Sequence, residues 1–265
     1  MTVKLALAQT AGSVSVQENI ETAHRFIGQV AQSGADLIVF PEMFMALPQQ
    51  GRPLGTVAET IDGPFAAALR ESARENGVAV ASGVWEKSDQ EPDKAINAVI
   101  VFDDHGDLLA SYRKIHLFNA LSVRESDTMI GGRTPPPIFS LGTLRIGLAI
   151  CYDLRFPELF RYLAGHGADL VIVPSAWYAG PMKEEHWLTL LQARAIENTC
   201  YVAGVNLCGG FFAARSAIFD PFGVPLAGAG EGETLLTASL SSERVREVRE
   251  KLPTLTHARP QLFHE

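Results

Sequence analysis

The chain has 265 residues, 47% of them hydrophobic, and a formal net charge of −8; this length suits one large α/β domain or two small ones, and the acidic balance without a basic run excludes a nucleic-acid binder, whose phosphates need clustered Lys and Arg. The longest strongly apolar stretches, residues 146–151 and 170–173, are too short to span a bilayer, and the first nine residues lack the apolar core of a signal peptide. Three cysteines (Cys151, Cys200, Cys208) without scaffold spacing point to a reducing cytoplasm.

In chain order, residues 4–9 read as a buried strand. Residues 16–33 read as a helix with Ile20, Ala23, Phe26, Ile27 and Val30 on one face. Residues 37–40 form a strand stopped by Pro41, and residues 65–76 a helix ended by Asn76-Gly77. Residues 78–84 form a strand, and residues 95–103 with 107–113 a hairpin turning around Asp104-His105-Gly106. The order βαβαββ implies a sheet with helices packed on it.

The pattern then repeats. Gly34-Ala35-Asp36-Leu37-Ile38-Val39-Phe40-Pro41 is echoed by Gly167-Ala168-Asp169-Leu170-Val171-Ile172-Val173-Pro174, residues 5–9 by 146–151, and residues 99–103 by 217–220. Two similar βαβαββ halves can pack sheet on sheet as a four-layer α-β-β-α sandwich. The chain reads as a single domain, residues 1–265, because neither half covers its sheet alone. Residues 118–140 are Gly/Pro-rich and weakly periodic, a long functional loop. A charged helix over residues 241–251 precedes a tail whose Leu255, Leu262 and Phe263 suggest docking, on a second subunit for example.

Three reactive residues stand at strand ends. Cys151 ends an apolar run and is followed by Tyr152-Asp153-Leu154-Arg155, so strand, sharp turn and helix would hold the thiol exposed, with backbone N–H groups facing a developing oxyanion. A buried Cys packing as a small hydrophobe is the alternative. Glu42 follows a buried strand and Pro41, at the sheet edge where α/β proteins place ligands; a helix-capping or solvated Glu would look the same. Lys114 lies among Ile115, Leu117 and Phe118, where a half-buried amine can stabilise a charged intermediate. His116 is available as the base of a Cys–His pair, or as support for Lys114. Glu125, by itself, reads as a surface charge. No His/Cys pair has metal-ligand spacing, and no cofactor site is visible.

These blocks make the chain recognisable. Phe40-Pro41-Glu42-Met43-Phe44, residues 112–118 beginning Tyr112-Arg113-Lys114, and residues 150–159 beginning Ile150-Cys151-Tyr152-Asp153 resemble the three signature blocks of the nitrilase superfamily of carbon–nitrogen hydrolases. The resemblance covers nearly the whole chain and implies the α-β-β-α sandwich, dimers or larger homo-oligomers, and a Glu–Lys–Cys triad, here Glu42, Lys114 and Cys151. It adds Glu125 as a second catalytic carboxylate. Tyr152, Arg155 and Trp177 are the candidate substrate-binding residues. Glu250-Lys251-Leu252-Pro253 and Arg259-Pro260-Gln261-Leu262-Phe263 are similar to the branch of ω-amidases and deaminated-glutathione amidases, whereas Gly209-Gly210-Phe211-Phe212 departs from the polar loop of a close ω-amidase.

The resulting expectation is a cysteine-dependent amidase that hydrolyses the terminal amide of a short carboxylic acid through a thioester. It needs no metal or cofactor, no nucleic acid and no membrane. An N-carbamoyl hydrolase using the same triad and a catalytically silent scaffold are the alternatives. Arg155 either clamps the substrate carboxylate or pairs with Glu158 to hold the turn.

Overall fold

The computed structural model describes residues 2–262. The first half runs β1 (Val3–Gln9), α1 (Val16–Gln32), β2 (Leu37–Val39), α2 (Pro64–Asn76), β3 (Ala79–Lys87), β4 (Ala95–Phe102) and β5 (Leu108–Arg113). Two short strands, β6 (Met129–Ile130) and β7 (Ile138–Leu141), follow. The second half runs β8 (Leu144–Leu148), α3 (Pro157–Gly165), β9 (Leu170–Ser175), α4 (Lys183–Asn198), β10 (Tyr201–Asn206), β11 (Ala217–Phe219) and β12 (Pro225–Gly228). Last come β13 (Thr234–Leu240), α5 (Ser242–Lys251) and α6 (Thr254–His257).

Each half runs βαβαβββ, one strand more than βαβαββ; in the first half the extra strand is the second arm of the hairpin already read over residues 107–113. Strands β1, β2 and β3 pair in parallel, and β4 and β5 continue antiparallel. Strands β8, β9 and β10 repeat the parallel set, with β11 and β12 antiparallel beside them. The repeated Gly-Ala-Asp junction has one physical job in both halves. The Asp36 carboxylate accepts the Lys4 N–H at 2.7 Å, and Asp169 accepts the Arg145 N–H at 3.0 Å, so each Asp fixes the register of its strand against the first strand of its half.

One edge crosses between the halves: β13, which follows the second half, pairs antiparallel with β1 of the first sheet, whereas β7 forms a local hairpin with β8 at the edge of the second. The sheet orders are therefore β13-β1-β2-β3-β4-β5, with β6 on β4, and β12-β11-β10-β9-β8-β7.

Side-chain alternation sorts the layers. Leu5, Leu7, Leu37 and Val39 join Ile146, Leu148, Leu170 and Ile172 in the core that includes the space between the sheets. Ala6, Ala8 and Ile38 point the other way, onto Phe26, Ile27 and Val30 of α1 and Phe65 and Leu69 of α2. α1 starts where the Ser15 side chain accepts from the Glu18 N–H, and α2 stops at Gly77, whose φ of 62° suits the left-handed C-cap.

Two expectations change. Residues 118–140 are less open than the sequence suggested, because they hold a 3₁₀ turn at Glu125–Asp127, β6 and the start of β7. The tail lies on its own chain, where the Thr254 hydroxyl donates to the Glu197 carbonyl at 3.3 Å beyond the end of α5. Phe160 is fully buried within the chain, whereas Tyr162 and Leu262 are exposed. Phe263 lies outside the described residues. Among the described residues no helix is long and apolar enough to cross a membrane.

Candidate active site

The site lies at the ends of the parallel strands, between the two sheets. β2 ends at Val39, and the chain then runs over Gly83 of β3: a Cβ on Gly83 would stand 2.5 Å from the Pro41 carbonyl oxygen and 2.8 Å from the Glu42 Cα. Only a glycine permits this approach. Met43 then takes a φ of 59°, a left-handed turn that directs Glu42 into the interior. Lys114 follows β5 directly, and its N–H donates to the Asn97 carbonyl of β4 at 2.9 Å. Cys151 stands beyond the end of β8 in a 3₁₀ turn, Cys151–Arg155, with a φ of 44°. A non-glycine residue held there stores strain, as functional turns do.

These elements bring the three side chains together. Lys114 Nζ donates to Glu42 Oε1 at 2.8 Å and to Glu125 at 2.9 and 3.0 Å. Of the charges acting on the Cys151 thiol, that of Glu42 is the strongest. Glu42 also accepts from Asn97 Nδ2 and from the Ala176 N–H, both at 2.7 Å, so donors from both sheets fix its carboxylate. Glu125 is buried, not a surface charge, because the Phe118 N–H at 2.7 Å and Lys114 satisfy it. Sequence reasoning could not see this; only the folding of its loop back onto Lys114 shows it.

The electrostatics follow from two carboxylates sharing one ammonium inside the protein. Burial works against the Lys114 charge, but Glu42, Cys151 and Glu125 together more than reverse it and hold the amine protonated. Burial, then the Glu42 charge, push the Cys151 thiol well up, with Lys114 opposing. Burial likewise raises the Glu125 carboxyl, against Lys114 and with Glu42 adding to the rise. The resting thiol is therefore neutral and needs a base within reach.

A cavity of ≈300 Å³ opens onto Cys151. Tyr152, Arg155 and Trp177, the three expected substrate contacts, line it together with Tyr178, Phe118 and Lys183. Arg155 does not pair with Glu158. Its guanidinium lies 4.7 Å over the Trp177 ring, and its Nη2 is 3.4 Å from His186 Nδ1. Lys183, which the sequence did not single out, places its ammonium 4.8 Å from the Trp177 ring centre and 5.3 Å from that of Phe118. Burial and the neighbouring Arg155 charge lower its pKa. Its setting, Lys183-Glu184-Glu185-His186, carries no sequence signal for this role.

His116 is held by Asp153 and is not paired with Cys151 as a base. Its Nδ1 is 2.7 Å from Asp153 Oδ1, and its ring stacks on Phe156 at 3.6 Å, so it serves the turn after Cys151.

A buried thiol, a hydrogen-bonded carboxylate and a lysine at the mouth of an α-β-β-α sandwich define a class. The family model described as carbon-nitrogen hydrolase matches residues 4–250, and the chain belongs to that family. Over 263 residues the chain is 36% identical to the deaminated glutathione amidase of Escherichia coli O157:H7, covering 98% of this chain and 99% of that one. It is 37% identical over 268 residues to the deaminated glutathione amidase of Synechocystis sp. (strain PCC 6803 / GT-S), covering 95% and 96%. A solved structure of the amidase from Nesterenkonia sp. AN1, a mutant showing covalent addition of the acetamide moiety of fluoroacetamide at the active site cysteine, superposes with a TM-score of 0.84 and 29% identity over 98% of this chain and 95% of that one.

Proposed function

We propose that the protein is an amidase that hydrolyses the terminal amide of a small carboxylic acid to the acid and ammonia, with Cys151 as nucleophile. One observation carries the reading: the buried Cys151 thiol stands at the wall of the cavity, with the buried Glu42–Lys114 pair, 2.8 Å apart, acting on it. Glu42 takes the thiol proton as sulfur attacks the amide carbon. Lys114 and the Tyr152 N–H hold the oxyanion. The C–N bond breaks, and ammonia leaves with a proton from Glu42 or from Glu125, whose raised carboxyl suits a proton carrier. Glu42 then activates water, which releases the acid from the thioester and restores the thiol. The covalent route replaces direct attack of water on a poorly electrophilic amide. Acid–base help contributes about 10²–10⁴-fold.

The cavity wall supports an acidic substrate. Arg155 and Lys183 form a cationic pole opposite the thiol, over the apolar faces of Trp177 and Phe118. A short chain with an amide at one end and a carboxylate at the other matches it. The relatives named deaminated glutathione amidase support an amide of this kind. The deciding experiment is an ammonia-release screen over succinamate, butyramide and carbamoyl amino acids. Succinamate, close in length to butyramide but charged, should give the higher kcat/KM. Equal values would leave a general amidase, and turnover of the carbamoyl compounds alone would replace the reading with ureido hydrolysis.

Two further features belong to the proposal. Three free cysteines, all buried, suit a reducing cytoplasm. Exposed Tyr162, Ile196, Phe222 and Leu252 favour a homo-oligomer.

A further inference from the structure

We propose that Asp153 is a positioning residue that pins the lysine segment of the first sheet to the cysteine turn of the second. Its carboxylate is fully buried and accepts three hydrogen bonds. Oδ2 takes the Tyr112 hydroxyl at 2.8 Å and the Ile150 N–H at 2.9 Å, and Oδ1 takes His116 Nδ1 at 2.7 Å. Tyr112 lies two residues before Lys114 and His116 two residues after it, while Ile150 immediately precedes Cys151. One carboxylate thus ties the chain on both sides of Lys114 to the backbone beside the thiol. The inference rests on the reading of Cys151 as nucleophile.

Capping the Cys151 turn does not explain this arrangement. The Ile150 N–H alone satisfies a cap. The two side-chain donors come from the segment after β4, on the other sheet, and keeping a carboxylate out of water costs several kcal/mol unless such donors meet it. The Tyr112 phenol stays protonated, because burial and the Asp153 charge raise its pKa, so it remains a donor. His116 cannot swing away while its ring lies nearly parallel, at 6°, on Phe156. Across a two-sheet seam the Lys114–Cys151 separation has no covalent guide, and a misplacement of about 1 Å costs on the order of 10²-fold in rate.

The test uses the full-length enzyme. Asp153→Asn keeps the shape but turns an amide N–H toward one of the two ties. It should lower kcat about 10²-fold and leave KM within about threefold. Tyr112→Phe removes one tie and should lower kcat about tenfold with an unchanged fold by circular dichroism. A second readout needs no turnover. The rate of iodoacetamide alkylation, followed on the Cys151 peptide by mass spectrometry, is measured against pH. Glu42, Lys114 and Glu125 are the charged groups acting on the thiol, and Lys114 is the one that favours the thiolate. Loosening Lys114 should therefore move the alkylation profile of both variants to higher pH. Folded variants with near-wild-type kcat and an unmoved profile would overturn the proposal. If Asp153→Asn does not fold, Tyr112→Phe decides it. Loss of the amidase reading would show separately, as turnover retained in Cys151→Ala.

Discussion

At the scale of single residues the site separates groups that touch the reacting atoms from groups that hold them. Cys151→Ala should abolish ammonia release while the fold persists, and acid quench of the wild type with substrate should trap a thioester on the Cys151 peptide by mass spectrometry. Glu42→Gln keeps the shape and an acceptor oxygen but cannot take the thiol proton; acylation should fall by about 10²–10⁴-fold. His116→Ala should lose activity only in part, about tenfold, because the imidazole meets Asp153 and not the thiol. The reverse order in stopped-flow acylation would move the base to histidine. Lys183→Met tests the cationic pole. It should lower kcat/KM for succinamate roughly tenfold and leave butyramide unchanged, since one charge-assisted contact is removed. The triad residues could be read from their flanking blocks. Lys183 could not, because nothing in a stretch of Lys183-Glu184-Glu185-His186 says which charge faces a cavity.

At the scale of elements, strand ends do the positioning. The parallel strands β2 and β8 lead their chains toward one mouth, and the left-handed residues Met43 and Cys151 turn them there. Gly83 is the element-level test. Gly83→Ala would drive a Cβ into the backbone at Pro41 and Glu42, where no flexible side chain can yield. It should cost about 1–3 kcal/mol in denaturant unfolding and lower kcat more than it raises KM. A variant of wild-type stability and activity would show that this crossing is looser than its geometry. Strands, helices and their order were legible because apolar runs, caps and turn residues act over a few neighbours. The burial of Glu125 was not, since its Arg124-Glu125-Ser126-Asp127 setting is that of an exposed loop and only Lys114 makes burial tolerable.

At the scale of the molecule, a strand crossing from one half to the other binds them. β13, which follows the second half, closes the first sheet beside β1, so separating the halves would strip that strand from the first sheet. We propose that the chain unfolds as one cooperative unit. Trp85 reports on the first half and Trp177 with Trp187 on the second, all of them buried. Variants keeping Trp85 alone, or the other two alone, should show one shared urea midpoint by fluorescence. Two midpoints would divide the chain into separable domains. Light scattering at micromolar concentration should return at least a dimer, through the face carrying Tyr162 and Leu252 and not Phe160, which the chain itself buries.

The sequence by itself pointed to the repeated halves, the sandwich they imply, and Glu42, Lys114 and Cys151 as the candidate triad. Periodicity, the Gly-Ala-Asp junctions and the blocks around each reactive residue are local signals, written in consecutive positions. The tertiary structure alone decided which charges are buried together, that Asp153 meets Tyr112 and His116, that Arg155 lies over Trp177 and not beside Glu158, and that β13 of the second half completes the first sheet. Those outcomes depend on contacts between residues tens to hundreds of positions apart, where burial changes what a carboxylate or an amine can tolerate and no neighbour in the chain records the partner.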